Sequence, residues 1–190
     1  MVKPVGILAL QGNFIQHATM VSKLGKTPKL VRYPQEIEDC SSLIIPGGES
    51  TTMSRQIDRN GFRLPIKEFS KKKPIMGTCA GMILLSSSDK VKNMAPLNIM
   101  NFTVNRNAWG SQVHSFVDNL NFNFDNKRKF QGTFIRAPKI NKIGDHIEVI
   151  AEYDNEPVML KNIKHLVCSF HPEIGDDCRI HKYFLDQVNG

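Results

Sequence analysis

Three apolar runs in the first half of the chain end at a tight, glycine-bearing turn, and this feature constrains the fold most. VGILAL (5–10) runs into Gln11-Gly12, SSLIIPGG (41–48) carries its own glycine turn, and KPIMG (73–77) leads to AGMILLSSS (80–88). An apolar run without alternation marks a strand buried on both faces, as in a parallel sheet. Between the runs, residues 13–24 place Phe14, Ala18, Val21 and Leu24 near helical spacing, and PKLVRY (28–33) reads as a further strand. STTMSRQIDRNG (50–61) opens with hydroxyl residues suited to an N-cap and stops at Gly61, and AGMILLSSS reads as the next helix. Strand and helix in alternation predict an α/β fold, its mostly parallel sheet covered on both faces and its crossovers right-handed. The second half differs. VHSFV, QGTFIRAP, HIEVIAEY, EPVMLK and HLVCSFHPE read as short, partly antiparallel strands, and DDCRIHKYFLDQV as a terminal helix. No repeat, low-complexity tract or linker interrupts the pattern, so one domain over residues 1–190 is expected.

The composition, 41% hydrophobic and 23% charged over 190 residues, allows a sizeable core. No apolar run approaches the ~20 residues of a membrane span, and the short apolar start broken by Pro4 does not resemble a signal peptide. A cytoplasmic address without membrane association is the expectation. Thiols in that compartment stay reduced, so Cys40, Cys79, Cys168 and Cys178 are expected to be free. Cys178 and His181 are three apart, with Cys168 and His171 nearby, but paired CxxC spacing is missing and no metal or other cofactor is expected. The net charge of +7 comes from KKK (71–73), KRK (127–129) and scattered lysines. Neither run is interleaved with aromatics, which disfavours a nucleic-acid partner.

In an open parallel sheet, functional groups gather at the carboxyl ends of the strands. Four such ends carry chemistry: Gln11-Gly12, PGGES (46–50), GTCAG (77–81) and HPE (171–173). GTCAG has the G-x-C-x-G spacing of a nucleophile elbow, whose sharp strand-to-helix turn tolerates only small neighbours. The helix that follows aims its N-terminus at the Cys79 sulfur and favours the thiolate, and N–H groups in the turn can receive an oxyanion. His171 supplies a base, and Glu173, two residues on in an extended segment kept open by Pro172, can fix its tautomer. Gly47 and Gly48 let the backbone approach a ligand or turn an N–H toward an oxyanion, and Glu49 offers a carboxylate for an ammonium group. A plain glycine turn capping the next helix is the simpler use of the same residues. The residues together indicate a cysteine-dependent acyl-transfer enzyme acting on an amide or ester. They do not name its substrate.

The stretches LALQG, LIIPGGESTTM, GTCAGMILL, FIRAP and SFHPE, in this order along nearly the whole chain, resemble the glutaminase subunits of pyridoxal 5'-phosphate synthase, within the class I (triad) glutamine amidotransferases. PGGESTT with FIRAP is the more specific part; the elbow and HPE belong to the wider superfamily. The resemblance implies a flavodoxin-like sheet and a Cys79-His171-Glu173 triad that hydrolyses L-glutamine through a glutamyl thioester on Cys79. It implies that Gly47, Gly48, Glu49, Arg106, Ile135 and Arg136 bind glutamine. It places Gln11, Gly48 and Ala80 at the oxyanion hole or the partner surface. The implied partner is a (β/α)8-barrel synthase, in an assembly of twelve of each subunit, which makes pyridoxal 5'-phosphate from ribose 5-phosphate, glyceraldehyde 3-phosphate and the ammonia delivered to it.

Two positions depart from the family pattern. Ser111 stands where bacterial members commonly have arginine, and the first helix carries Gln16-His17 where the family often has Glu-His, on a region that faces the partner in relatives. Two other readings share parts of the pattern: a triad amidotransferase serving a different synthase, and a PfpI-like cysteine protein with no need for HPE, Arg106 and Arg136.

Overall fold

The computed structural model describes residues 2–87, 94–106 and 115–186, the side chains of residues 126 and 127 excepted. Its first half runs β1 (Val5–Leu8), α1 (Phe14–Lys23), β2 (Pro28–Val31), a 3-10 turn (Pro34–Ile37), β3 (Ser42–Ile45), α2 (Ser50–Arg59), α3 (Arg63–Lys72), β4 (Ile75–Thr78) and α4 (Ala80–Leu85). The second half holds β5 (Phe102–Asn105), β6 (Ser115–Phe122), β7 (Asp125–Ile135), β8 (Lys139–Ile143), β9 (Glu148–Tyr153), β10 (Glu156–Lys161), β11 (Leu166–Cys168) and α5 (Arg179–Asp186). Seven strands form one sheet in the order β2-β1-β3-β4-β11-β10-β9. The first five are mutually parallel, and β10 and β9 extend the sheet antiparallel. The parallel part has the 2-1-3-4-5 order of flavodoxin-like folds, with its topological switch between β1 and β3.

Alternation along the strands divides the apolar residues between two cores. Leu43, Ile45 and Ile75 join α2, α3 and α4 on one face. Ile44 and Met76 join Val21 of α1 and Ile180 and Phe184 of α5 on the other. The β6–β7 hairpin closes this second core with Phe122, Phe130 and Phe134. Phe130 and Phe134 hold Phe170 between them, at ring-centroid distances of 5.9 and 5.5 Å. The residue before His171 is thereby locked into the core.

The parallel strands are shorter than the apolar runs suggest, because the run ends turn out of the sheet toward the site. Helix α3 is an addition that the spacing does not announce. Pro65 lies in its first turn, where a missing N–H costs no hydrogen bond, and Ile66 and Phe69 anchor its inner face. The lysine run at 71–73 ends this helix and complements its dipole, while Lys73 Nζ also donates to the carbonyls of Glu38 and Cys40. None of the four cysteines is in a disulfide. Among the described residues, no helix is long and apolar enough to cross a membrane, and no three His, Cys, Asp or Glu side chains group as metal ligands.

Candidate active site

Cys79 sits between β4 and α4 with φ +49° and ψ −106°. A side chain in this region costs about 1–3 kcal/mol, so the surroundings must hold it there. They do so through Cys79 N–H, which donates to the Cys168 carbonyl at 2.8 Å, and through packing that leaves the residue 7% exposed. Its thiol donates to the Ile135 carbonyl at 3.7 Å. Ala80 opens α4, so its N–H has no acceptor within the helix.

His171 Nδ1 lies 2.7 Å from Glu173 Oε1, and the imidazole and the Cys79 side chain both face Gly47. The route to this pairing differs from the expected one. The HPE segment is not extended: residues 172–173 form a turn in which Ile174 N–H donates to the His171 carbonyl at 3.3 Å. The turn folds Glu173 back toward the imidazole, while His171 N–H is held by the Thr133 carbonyl of β7 at 2.8 Å. Asn13 Nδ2 donates to the same Glu173 oxygen at 3.1 Å. The other oxygen, Oε2, faces His17 Nε2 at 3.4 Å. Asn13, Thr78, His17 and His181 complete this surrounding; Asn13 and Thr78 carry no signal in the sequence, while His17 figures there only within a partner-facing departure and His181 only as a disfavoured metal ligand. His17 is fully buried on the inner face of α1, whereas Gln16 beside it is exposed.

The glycine loops converge on the same point. A Cβ on Gly47 would lie 2.5 Å from His171 Cε1 and 3.2 Å from Cys79 Cβ. At Gly12, φ is +90° and a Cβ would fall 1.6 Å from the Gly47 carbonyl oxygen. Gln11-Gly12 after β1 and Gly47-Gly48 after β3 are thus in contact at the topological switch point. Gln11 Oε1 is buried without a hydrogen-bond partner among the described residues.

Glu49, rather than a hydroxyl residue, caps α2: its carboxylate accepts from the Thr51 and Thr52 N–H groups at 2.9 and 2.7 Å. Partial burial pushes its pKa up, but these bonds and that from the Thr52 hydroxyl outweigh it and bring it down to about 2. The same carboxylate meets Arg106 at 3.3 Å, and Arg106 also donates to Thr51 Oγ1 at 3.2 Å. Glu49 and Arg106, both expected to contact glutamine, are therefore paired with each other. Ile135 and Arg136 end β7 on the exposed side, Arg136 with φ +44°. Ser111 lies outside the described residues.

Burial alone would lower the His171 pKa, but the bonds to Cys79 and Glu173 and their charges raise it well above the ordinary imidazole range. Burial pushes the Glu173 pKa up, and the hydrogen bond and charge of His171 help bring it down to about 2. The remaining buried histidines behave oppositely. Desolvation holds His17 and His165 down to about 4 and His181 to about 3, from an ordinary 6.5. Their folded-state values are depressed, so the stability that they confer is present above pH 6.5 and is lost as pH falls through those values. The expected outcome is a fall in unfolding free energy on the order of 5 kcal/mol between pH 7 and 4.5, read by urea denaturation. A flat profile over that window would show that these rings are not buried neutral.

Comparison with known proteins agrees with this geometry. The family model described as the SNO glutamine amidotransferase family matches residues 7–190. The chain is 42% identical over 185 residues to the pyridoxal 5'-phosphate synthase subunit PdxT of Francisella tularensis subsp. tularensis, with 97% of this chain and 99% of that protein covered. A crystal structure of a glutamine amidotransferase superposes with a TM-score of 0.91 at 36% identity, covering 98% of this chain and 99% of that one. PurLQS from Thermotoga maritima shares the fold at a TM-score of 0.72 and 15% identity, over 98% of this chain and 100% of that one. With residues 7–190 matched by the family's model, the chain belongs to the SNO glutamine amidotransferase family.

Proposed function

We propose that this chain hydrolyses L-glutamine to L-glutamate and ammonia, and passes the ammonia to a partner synthase that makes pyridoxal 5'-phosphate. The observation that carries the reading is the buried Cys79-His171-Glu173 array directly against Gly47, with the Glu49-Arg106 pair beside it. Glutamine is a zwitterion. Its α-ammonium suits the Glu49 carboxylate and its α-carboxylate suits the Arg106 guanidinium, so the substrate would part an existing ion pair. Ile135 and Arg136 border the same space.

Cys79 Sγ attacks the side-chain carboxamide carbon, and the carbonyl oxygen takes up negative charge. N–H groups of Gly48 and Ala80 are the donors proposed for that oxyanion, with Gln11 at the loop contact. His171 accepts the Cys79 thiol proton as the sulfur attacks, is held as imidazolium by Glu173, and gives that proton to the departing ammonia. It then takes one from the water that attacks the thioester, and glutamate leaves with Cys79 restored. Glu173 holds the imidazole ring and balances its charge. No prosthetic group is needed for these steps.

The 42% identical relative carries the word "subunit" in its name, which supports a partner synthase, and we assign the pair to the cytoplasm as a barrel-cored assembly of twelve of each subunit. The test is glutamate release from L-glutamine with and without added synthase subunit. Release stimulated by the partner is expected. No release in either condition would overturn the reading.

A further inference from the structure

We propose that His17 and His181 continue the triad inward, as positioning residues: a directed, hydrogen-bonded pair of neutral rings that holds the Glu173 carboxylate through a close His17 contact to its second oxygen. The inference rests on the glutaminase reading for its kinetic consequence, but not for its geometry. His17 comes from α1, His181 from α5 and Glu173 from the turn after β11, so three separate elements meet here.

The proton positions follow from the contacts. His17 Nδ1 and His181 Nε2 are 2.8 Å apart, so one must carry hydrogen and the other a lone pair. His17 Nε2 lies 3.2 Å from Thr78 Oγ1 and 3.4 Å from Glu173 Oε2. His181 Nδ1 is buried with no partner among the described residues. Suppose that His17 Nδ1 donated. Its Nε2 lone pair would then face a carboxylate, and His181 would bury an N–H with no acceptor. The opposite arrangement removes both faults: His181 Nε2–H donates to His17 Nδ1, and His17 Nε2–H donates to Thr78 Oγ1 while turning its positive edge to Glu173 Oε2, a buried oxygen with no hydrogen-bond partner among the described residues. It leaves an unpartnered lone pair on His181 Nδ1, and an orphaned acceptor is tolerated better than an orphaned donor. Burial keeps both rings neutral, which this arrangement requires.

The consequence concerns Glu173. Its Oε1 receives hydrogen bonds from His171 and Asn13, and a carboxylate held at one oxygen alone can still rotate about its last torsion. The His17 N–H is the contact that sets its plane from the other oxygen. Thr78, the hydrogen-bond partner of that N–H, is the residue before Cys79, so the same imidazole links the nucleophile's strand to the orienter of its base.

The experiment uses full-length chain assembled with the synthase subunit. His17→Phe, which removes both ring nitrogens, is expected to lower kcat for glutamine hydrolysis about 10- to 100-fold with KM changed less than about twofold, as for partners that orient a functional imidazole. His17→Gln, whose amide keeps one donor and one acceptor, should restore kcat to within about fivefold. Unchanged kcat in His17→Phe would overturn the proposal, as would equal losses in both variants. Should His17→Phe fail to fold, 15N NMR of the wild-type chain decides: neutral His17 protonated at Nε2 at pH 7 is expected, and Nδ1 protonation overturns the relay. Absence of glutamate release from the wild-type assembly would instead remove the glutaminase reading, leaving the tautomer measurement unaffected.

Discussion

Cys79→Ala, assembled with the synthase subunit, is expected to lose at least about a thousandfold in glutamate release while docking to the partner as tightly as the parent chain. The loss is large because the thioester requires a sulfur nucleophile, and the strained backbone at residue 79 exists to present one. Water cannot substitute efficiently: the oxyanion donors and His171 are arranged around the position of the sulfur. Docking should survive because the residue is only 7% exposed, so the outer surface is unaltered by the substitution. Relief of the strained turn is small, since alanine at φ +49° is no more comfortable than cysteine. Steady-state glutamate release and co-sedimentation with the synthase read the two halves separately. Residual activity above about 1% of the parent would remove Cys79 from the nucleophile's role.

Gly81→Ala carries the largest expected effect on stability. A Cβ there would stand 2.0 Å from the Ile45 carbonyl oxygen and 2.9 Å from its carbon. Both belong to the backbone of β3 in the middle of the parallel sheet, which cannot move aside as a side chain would. The elbow must therefore open, and a loss of about 3–5 kcal/mol is expected, comparable to severe overpacking. Gly25→Ala is the matched control. Gly25 has φ +69° with nothing within 4 Å of the added atom, so only the left-handed backbone is penalised, by about 1 kcal/mol. Urea midpoints for the two variants should differ severalfold in their displacement from the parent chain. Equal displacements would mean that α4 does not approach β3 so closely.

The glycines flanking Cys79 show how far local sequence reaches. A turn that reverses chain direction between a buried strand and a helix leaves no volume for a Cβ, and that exclusion is written in GTCAG itself. The four strand ends were legible for a similar reason: apolar runs end where backbone leaves the sheet, and small or polar residues must follow. Helix α3 was less so, because Pro65 is a breaker in most settings and harmless only in a first turn. The segment after His171 was read as extended from its proline, yet it turns. Its conformation is chosen by the Thr133 carbonyl and by Phe170 clamped between two phenylalanines, contacts made with a hairpin some 40 residues earlier.

Neighbouring residues alone specify the alternation of elements, the elbow and the identity of its nucleophile, because periodicity and steric exclusion act over a few residues. Pairing does not work at that range. Gln16-His17 reads as part of a partner-facing region, and the spacing of Cys178 and His181 suggests at most a metal site that the missing CxxC disfavours. Only the packing of α1 and α5 on one sheet face turns His17 and His181 toward each other and toward Glu173. Such contacts join positions up to 164 apart in the chain, and their strength comes from the water that the surrounding core excludes.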